Sequence, residues 1–154
     1  MTGDPKVING LQKALGLETT AALHHKAQGE VLKRHGYKKL AKYFKKESHE
    51  QRDHQHRMMK RLAKLDQIPN AFDHDEMEVT PDCIQAIKNA LHLERKTSDH
   101  YTKAMGDAMD AGDTTSHWWM DRNKRHSERN QARYESWLRH YEDLGPNNFH
   151  QEMR

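Results

Sequence analysis

The sequence predicts an all-α fold: four long helices packed as a bundle with one long crossover, followed by a short C-terminal helix. Three observations lead there. Proline and glycine break the chain at only a few places, and the segments between the breaks carry apolar residues at helical spacing. No stretch alternates apolar and polar residues as a half-buried strand would. Two of the connections between long segments are short and one is long, which restricts how the helices can be joined.

The first helix is predicted from about Pro5 to Arg34. Val7, Ile8, Leu11, Leu15, Ala22 and Leu32 share one face, Pro5 suits a first helical position, and Gly36 in "HGY" can take the left-handed stop conformation. The second is predicted over residues 38–65, its face marked by Leu40, Tyr43, Phe44, Met58, Leu62 and Leu65, with Pro69 closing it. A third opens in "TPDC" and is predicted over about 82–110, with Thr80 as its cap and Pro81 at the first helical position, and carries Ile84, Ile87, Leu91, Tyr101, Met105 and Ala108. "AGD" at 111–113 breaks it. The fourth is predicted over 115–143 on Trp118, Met120, Tyr134, Trp137, Leu138 and Tyr141, and a tail helix over 146–152.

The breaks at Gly36 and at 111–113 make the first two helices, and the last two long ones, antiparallel neighbours. "DQIPNAFDHDEMEVT", residues 66–80, is different. About 15 residues at up to ~3.3 Å each reach roughly 50 Å, enough to run the length of a helix of about 28 residues. The third helix can therefore start at the end where the second started. One long crossover is the ferritin-like connection rather than the simple up-and-down one.

The length of 154 residues suits one domain, 1–154. Only 34% of residues are hydrophobic against 32% charged, and mean hydropathy is -1.20, so part of the interior is expected to be polar. The net charge of +3 arises from 26 basic and 23 acidic residues interspersed along the chain, which argues against a nucleic-acid-binding face. Cys83 is the single cysteine, compatible with a reducing compartment. "MTGDPKVING" lacks the pattern of a leader and no window is apolar enough for a membrane span, so a cytoplasmic location is expected.

The polar positions fall mid-helix on the inner faces. Glu18 and His25 continue the stripe of the first helix; Gln51 and His54 lie between Phe44 and Met58; Glu94 lies between Leu91 and Tyr101; Ser127 and Asn130 lie between Met120 and Tyr134. Buried carboxylates are costly unless paired or metal-bound, so their company with histidines points to metal chemistry. The densest stretch, "ESHEQRDHQH" at 47–56, holds three carboxylates and three histidines. Gln51 and His54 are read as inward-facing, whereas Glu47, Glu50, Asp53 and His56 are read as lying on other faces, as ordinary solvated surface. Met58, Met59, Met105, Met109 and Met120 read as core filler at helical spacing. Trp118 and Trp119 put one indole in the bundle and leave the other for a subunit contact. Asp110, Asp113 and Asp121 read as cap and turn residues, or as an acidic pore by analogy with ferritin shells.

From "GDPKVINGLQKALGLE" through "LDQIPN" to "LGPNNFHQ" the chain resembles bacterioferritin over essentially its whole length. The resemblance implies a hollow homo-oligomeric shell, usually of twenty-four subunits, that stores iron as a ferric mineral after di-iron oxidation of Fe(II). It also implies a haem between paired subunits, held by a methionine from each second helix. A ferritin-like di-iron site takes one Glu from each of two helices and a Glu-x-x-His pair from each of the others. Glu18 and Glu94 match the single-Glu roles. The paired roles read "QRDH", Gln51 to His54, and "SERN", Ser127 to Asn130, so Gln51, Ser127 and Asn130 replace two carboxylates and a histidine.

Ferroxidase activity is accordingly expected to be lost or weakened. A single weaker iron held by Glu18, His54 and Glu94, with His25 and Gln51 assisting, is one expectation. A hydrogen-bonded core in which Glu18 and Glu94 pair with His25 and His54 is the other. Arg52 stands at the haem-ligand position, and Thr19, Lys26, Lys45 and His49 are polar where a porphyrin needs apolar walls, so haem is not expected. His49, one turn before Arg52, is the neighbouring residue with axial-ligand chemistry. Three functions follow: an iron-storage cage subunit that assembles alone or beside a catalytic ferritin subunit; a structural or engineered shell without metal chemistry of its own; and an oxidase with a rearranged ligand set that includes His25.

Overall fold

The computed structural model describes residues 3–70 and 72–154; the first two residues of the N-terminal stretch and residue 71 of the crossover lie outside the described residues. The elements are α1 (Pro5–Arg34), α2 (Lys38–Lys64), α3 (Cys83–Asp110), α4 (Thr114–Leu144) and α5 (Pro146–Met153), with no strand among the described residues. The all-helical expectation holds. Pro5 does open α1, with the Asp4 side chain accepting from Lys6 N–H at 2.9 Å.

Three long helices stop the same way. After α1, Gly36 has φ +87°, its N–H reaches Lys33 O at 3.1 Å, and Tyr37 N–H reaches Leu32 O at 2.9 Å. Gly112, at φ +70°, repeats the pattern after α3, with Asp113 N–H on Ala108 O at 2.8 Å. The end of α2 corrects the expectation. Asp66, not Pro69, terminates it: Asp66 takes φ 57°, its N–H meets Ala63 O at 3.0 Å, and Gln67 N–H meets Leu62 O at 2.9 Å, so the helix ends at Lys64. An aspartate tolerates this left-handed conformation better than most side chains.

The start of α3 is a second correction. Asp82 is the cap, accepting from Ile84 and Gln85 N–H at 2.9 and 3.1 Å, so Pro81 lies outside the helix. Thr80 has another partner. Its backbone N–H and C=O pair with the Gln28 side chain at 3.1 and 2.6 Å.

That pairing is the upper end of a seam that fastens the crossover to α1. Gln12 holds Ile68 O and Asn70 N–H at 2.9 Å each, Thr20 Oγ1 accepts from Asp75 N–H at 2.9 Å, and His24 meets Glu78 O at 3.1 Å. The partners advance along α1 as the crossover advances, so the segment runs the length of the bundle and α3 begins beside the end of α1. The crossover also covers an apolar cluster of Leu17, Ala21 and Leu93 with Met77.

Two hairpins, α1/α2 and α3/α4, pack chiefly through α1 against α3. Two apolar clusters fill the ends. One holds Leu32, Phe44, Ile87, Leu91, Tyr134 and, from α5, Phe149 and Met153. The other holds Leu11, Leu15, Met58, Leu62, Tyr101 and Met120. Met58 and Met120 are thus core residues. Trp119 packs against the second cluster while Trp118 is half exposed, with Arg122 over both rings.

Asp113 ties the α3–α4 turn to α2. It accepts from Ser116 N–H and Oγ at 2.9 and 2.6 Å and from Arg61 Nη2 at 2.9 Å, while Arg61 Nε donates to Ser116 Oγ at 2.8 Å. Burial opposes ionisation of Asp113, but the Ser116 hydrogen bonds and the Arg61 charge outweigh it and hold the carboxyl below its ordinary value. Asp113→Ala removes a helix cap and strands the buried Arg61, and is expected to cost about 2 kcal/mol in denaturant unfolding. Asp113→Asn, which keeps the cap, should cost less; equal losses would mean that the charge facing Arg61, and not the cap, carries the whole effect.

Candidate functional site

Between the two apolar clusters lies a polar layer built from all four long helices. Glu18 and Glu94 are each 2% exposed, and Gln51, His54, Ser127 and Asn130 are buried with them. Each carboxylate has its own donors. Glu18 accepts from Tyr101 Oη at 2.8 Å and lies 3.3 Å from His54 Nδ1. Glu94 accepts from Gln51 Nε2 at 2.7 Å, and Ser127 Oγ lies 2.6 Å from its Oε2 and 3.0 Å from its own carbonyl.

Burial pushes the Glu94 carboxyl up to about 8, against the Ser127 hydrogen bond and with help from the negative charges of Glu18 and Glu47. In its protonated form it can donate to Ser127 while Ser127 donates to the Glu94 carbonyl, which satisfies both groups. The Gln51 Oε1 atom is buried without a hydrogen-bond partner among the described residues.

Glu47 corrects the reading of the surface. It is 3% exposed and faces inward, accepting from His126 Nε2 at 2.8 Å and from Asn130 Nδ2 at 2.6 Å. Burial alone would raise its pKa, but the hydrogen bond and electrostatic attraction to His126 prevail, with the Asn130 hydrogen bond adding to them, and the carboxyl is held low. The signal was available: Glu47 precedes Gln51 by four residues and His54 by seven, the spacing of one helical face. His126 carried no such signal, because its position at the edge of the α2–α4 contact depends on how α4 is rotated.

His25 occupies a different place from the carboxylates. Its Nδ1 meets Ala21 O at 2.7 Å and its Nε2 meets Tyr134 Oη at 2.9 Å, with the ring 5.1 Å from that of Phe44. Of the expected pairing of Glu18 and Glu94 with His25 and His54, the structure holds only Glu18 beside His54; Glu94 takes Gln51 and Ser127 instead, and His25 bonds neither carboxylate. Desolvation, with the neighbouring His24 adding to it, lowers the His25 pKa to about 4.

One cluster has the composition of a cation site. Glu50 and His54 of α2 and His126 of α4 each offer a ligand atom, and these atoms all lie within 4.8 Å of one another. On the opposite face, between α1 and α2, Arg52 lines a surface groove of about 380 Å³ together with Lys26, Lys42, Lys45 and His49. Thr19 is buried, bonding Leu15 O at 2.8 Å and accepting from Gln55 at 2.7 Å.

The sequence pattern of the ferritin-like domain matches residues 8–144. The chain belongs to the ferritin-like family. The match spans all four long helices and the crossover, and so takes in every residue of the polar layer. No described helix is long and apolar enough to cross a membrane.

His25 provides a pH test of this ferritin-like interior. Its folded pKa lies below the unfolded value of 6.5, so the unfolded chain binds more protons between pH 6.5 and 4. Its contribution is fully present above pH 6.5 and is lost as the pH falls towards 4, by roughly 3 kcal/mol. Urea unfolding of the parent and of His25→Gln should converge in acid and diverge towards neutrality. Parallel curves across that window would show that His25 does not titrate with folding.

Proposed function

We propose that the chain is a subunit of a bacterioferritin-type iron-storage shell whose own dinuclear oxidation centre is incomplete. The observation that supports this reading is the direction of the hydrogen bonds at the substituted positions. The Gln51 amide donates to Glu94, Ser127 lies against the same carboxyl, and Asn130 donates to Glu47. Two ferrous ions bring four positive charges. Of the six positions that hold them in a ferritin-like centre, only Glu18, Glu94 and His54 retain carboxylate or imidazole ligands, so two carboxylates face those four charges. The residues present therefore do not fit a two-ion centre.

Fe(II) is cargo for such a subunit. Its oxidation would fall to the inner surface of the shell or to a companion ferritin subunit with an intact centre. Haem forms no part of the proposal, because Arg52 offers no axial ligand and its groove is ringed by the cations of Lys26, Lys42 and Lys45.

Aerobic Fe(II) loading followed by size-exclusion chromatography with iron analysis tests this. Iron is expected to co-elute with a large assembly in excess over subunits, after slow oxidation. An assembly that elutes essentially iron-free would overturn the storage role for the chain alone. Gln51→Glu, Ser127→Glu and Asn130→His combined should accelerate oxidation at least tenfold. An intact triple variant no faster than its parent would overturn the assignment of the centre.

A further inference from the structure

We propose that Glu50, His54 and His126 bind a single borderline divalent cation of the Zn(II) class, which cross-braces α2 and α4. This site lies at the helix–helix seam, shares only His54 with the mid-bundle positions, and does not depend on shell assembly or iron chemistry.

The geometry is close to that required. Donor atoms around a tetrahedral Zn(II) lie about 3.4 Å apart, from bond lengths of ~2.0–2.2 Å. The three candidate donors already lie within 4.8 Å of one another, so shifts of about 1 Å or less would close them on an ion. Two of the three can make that shift. Glu50 is half buried and makes no hydrogen bond or ion pair among the described residues. The His126 side chain is 16% exposed and lies at the edge of the bundle.

Both imidazoles are already oriented by carboxylates. Glu18 stands 3.3 Å from His54 Nδ1 and is itself fixed by Tyr101 Oη at 2.8 Å, so an ion taken by Nε2 would be backed by this pair. Glu47 takes His126 Nε2 at 2.8 Å and is fixed in turn by Asn130. Carboxylate–histidine pairs of this kind set the ring orientation at metal centres and raise ligand basicity. The two rings are 4.7 Å apart and nearly perpendicular.

The donor set of two imidazoles and one carboxylate selects borderline ions over Mg(II) or Ca(II), and three protein ligands leave a fourth position for water. Arg129, whose Nη2 lies 3.4 Å from His126 Nδ1, is the nearby cation that an ion must displace, and its exposed side chain is free to leave. An ion here has a structural effect because α2 and α4 touch each other far less than either touches its hairpin partner.

The test uses the purified full chain with Zn(II) alone and with Co(II) as a spectroscopic probe. Surface histidines add background, so the quantity read is the difference between parent and variants in equilibrium dialysis. The parent should hold one more ion per subunit than either His126→Ala or Glu50→Gln, with affinity for that ion lost at least tenfold in each. Co(II) should give the intense visible bands of a tetrahedral site in the parent only, and Zn(II) should raise the parent melting temperature by several degrees, reversibly with chelator. His25→Gln should bind as the parent does. Glu50 has no partner to lose among the described residues, so Glu50→Gln keeps the test meaningful if His126→Ala fails to fold. Equal stoichiometry in parent and Glu50→Gln would overturn the proposal. So would an ion lost on Glu94→Gln but retained by His126→Ala, which would place it mid-bundle.

Discussion

Carboxylates buried in the middle of a helical bundle are the constraint on which the rest of the structure depends. Glu18, Glu47 and Glu94 are each almost wholly removed from water, a costly arrangement unless every oxygen finds a donor or the group gives up its charge. Here the donors are assigned one carboxylate at a time: Tyr101 and His54 to Glu18, His126 and Asn130 to Glu47, Gln51 and Ser127 to Glu94. The neutral residues at 51, 127 and 130 are therefore part of what makes the acidic ones tolerable. The same layer drives its carboxyls in opposite directions. Glu94, wholly buried with uncharged donors, is pushed up to about 8, whereas Glu47, beside His126, is held low.

Apolar packing on both sides of this layer keeps it in register. The cluster around Phe44 and Tyr134 and the cluster around Leu15 and Met58 fix the spacing of the four helices at each end. The crossover, stitched to α1 from Gln12 to Gln28, holds the α1–α3 side closed. The α2–α4 side has less to hold it. Glu50 and His126 reach solvent there, and an ion could enter without unpacking the core.

Gln51, Ser127 and Asn130 bear on what the bundle interior can do as much as on its shape. The Gln51 amide has the length of a glutamate side chain but presents a donor, and that donor is spent on Glu94. A serine leaves room that its contact with both the carbonyl and the carboxyl of Glu94 makes use of.

Much of the fold was legible because it rests on local rules. Apolar spacing marked the four long helices, Gly36 and Gly112 marked two of their ends, and the length of 66–80 gave the crossover its direction. The sequence alone also determined which positions of the polar layer carry carboxylate, imidazole, amide or hydroxyl, since those identities are covalent. It misassigned the residue that stops α2 because an aspartate in the left-handed conformation has no strong sequence mark, and the cap of α3 because Thr80 and Asp82 are equally good caps until Gln28 claims the Thr80 backbone. Only the tertiary structure decided which partners the polar groups take. Pairing Glu47 with His126 and Glu94 with Ser127, sending His25 to Tyr134, and bringing Glu50 and His54 up to His126 all depend on the rotation and height of one helix against another. Those are set by packing across the whole bundle, which no single helical period contains.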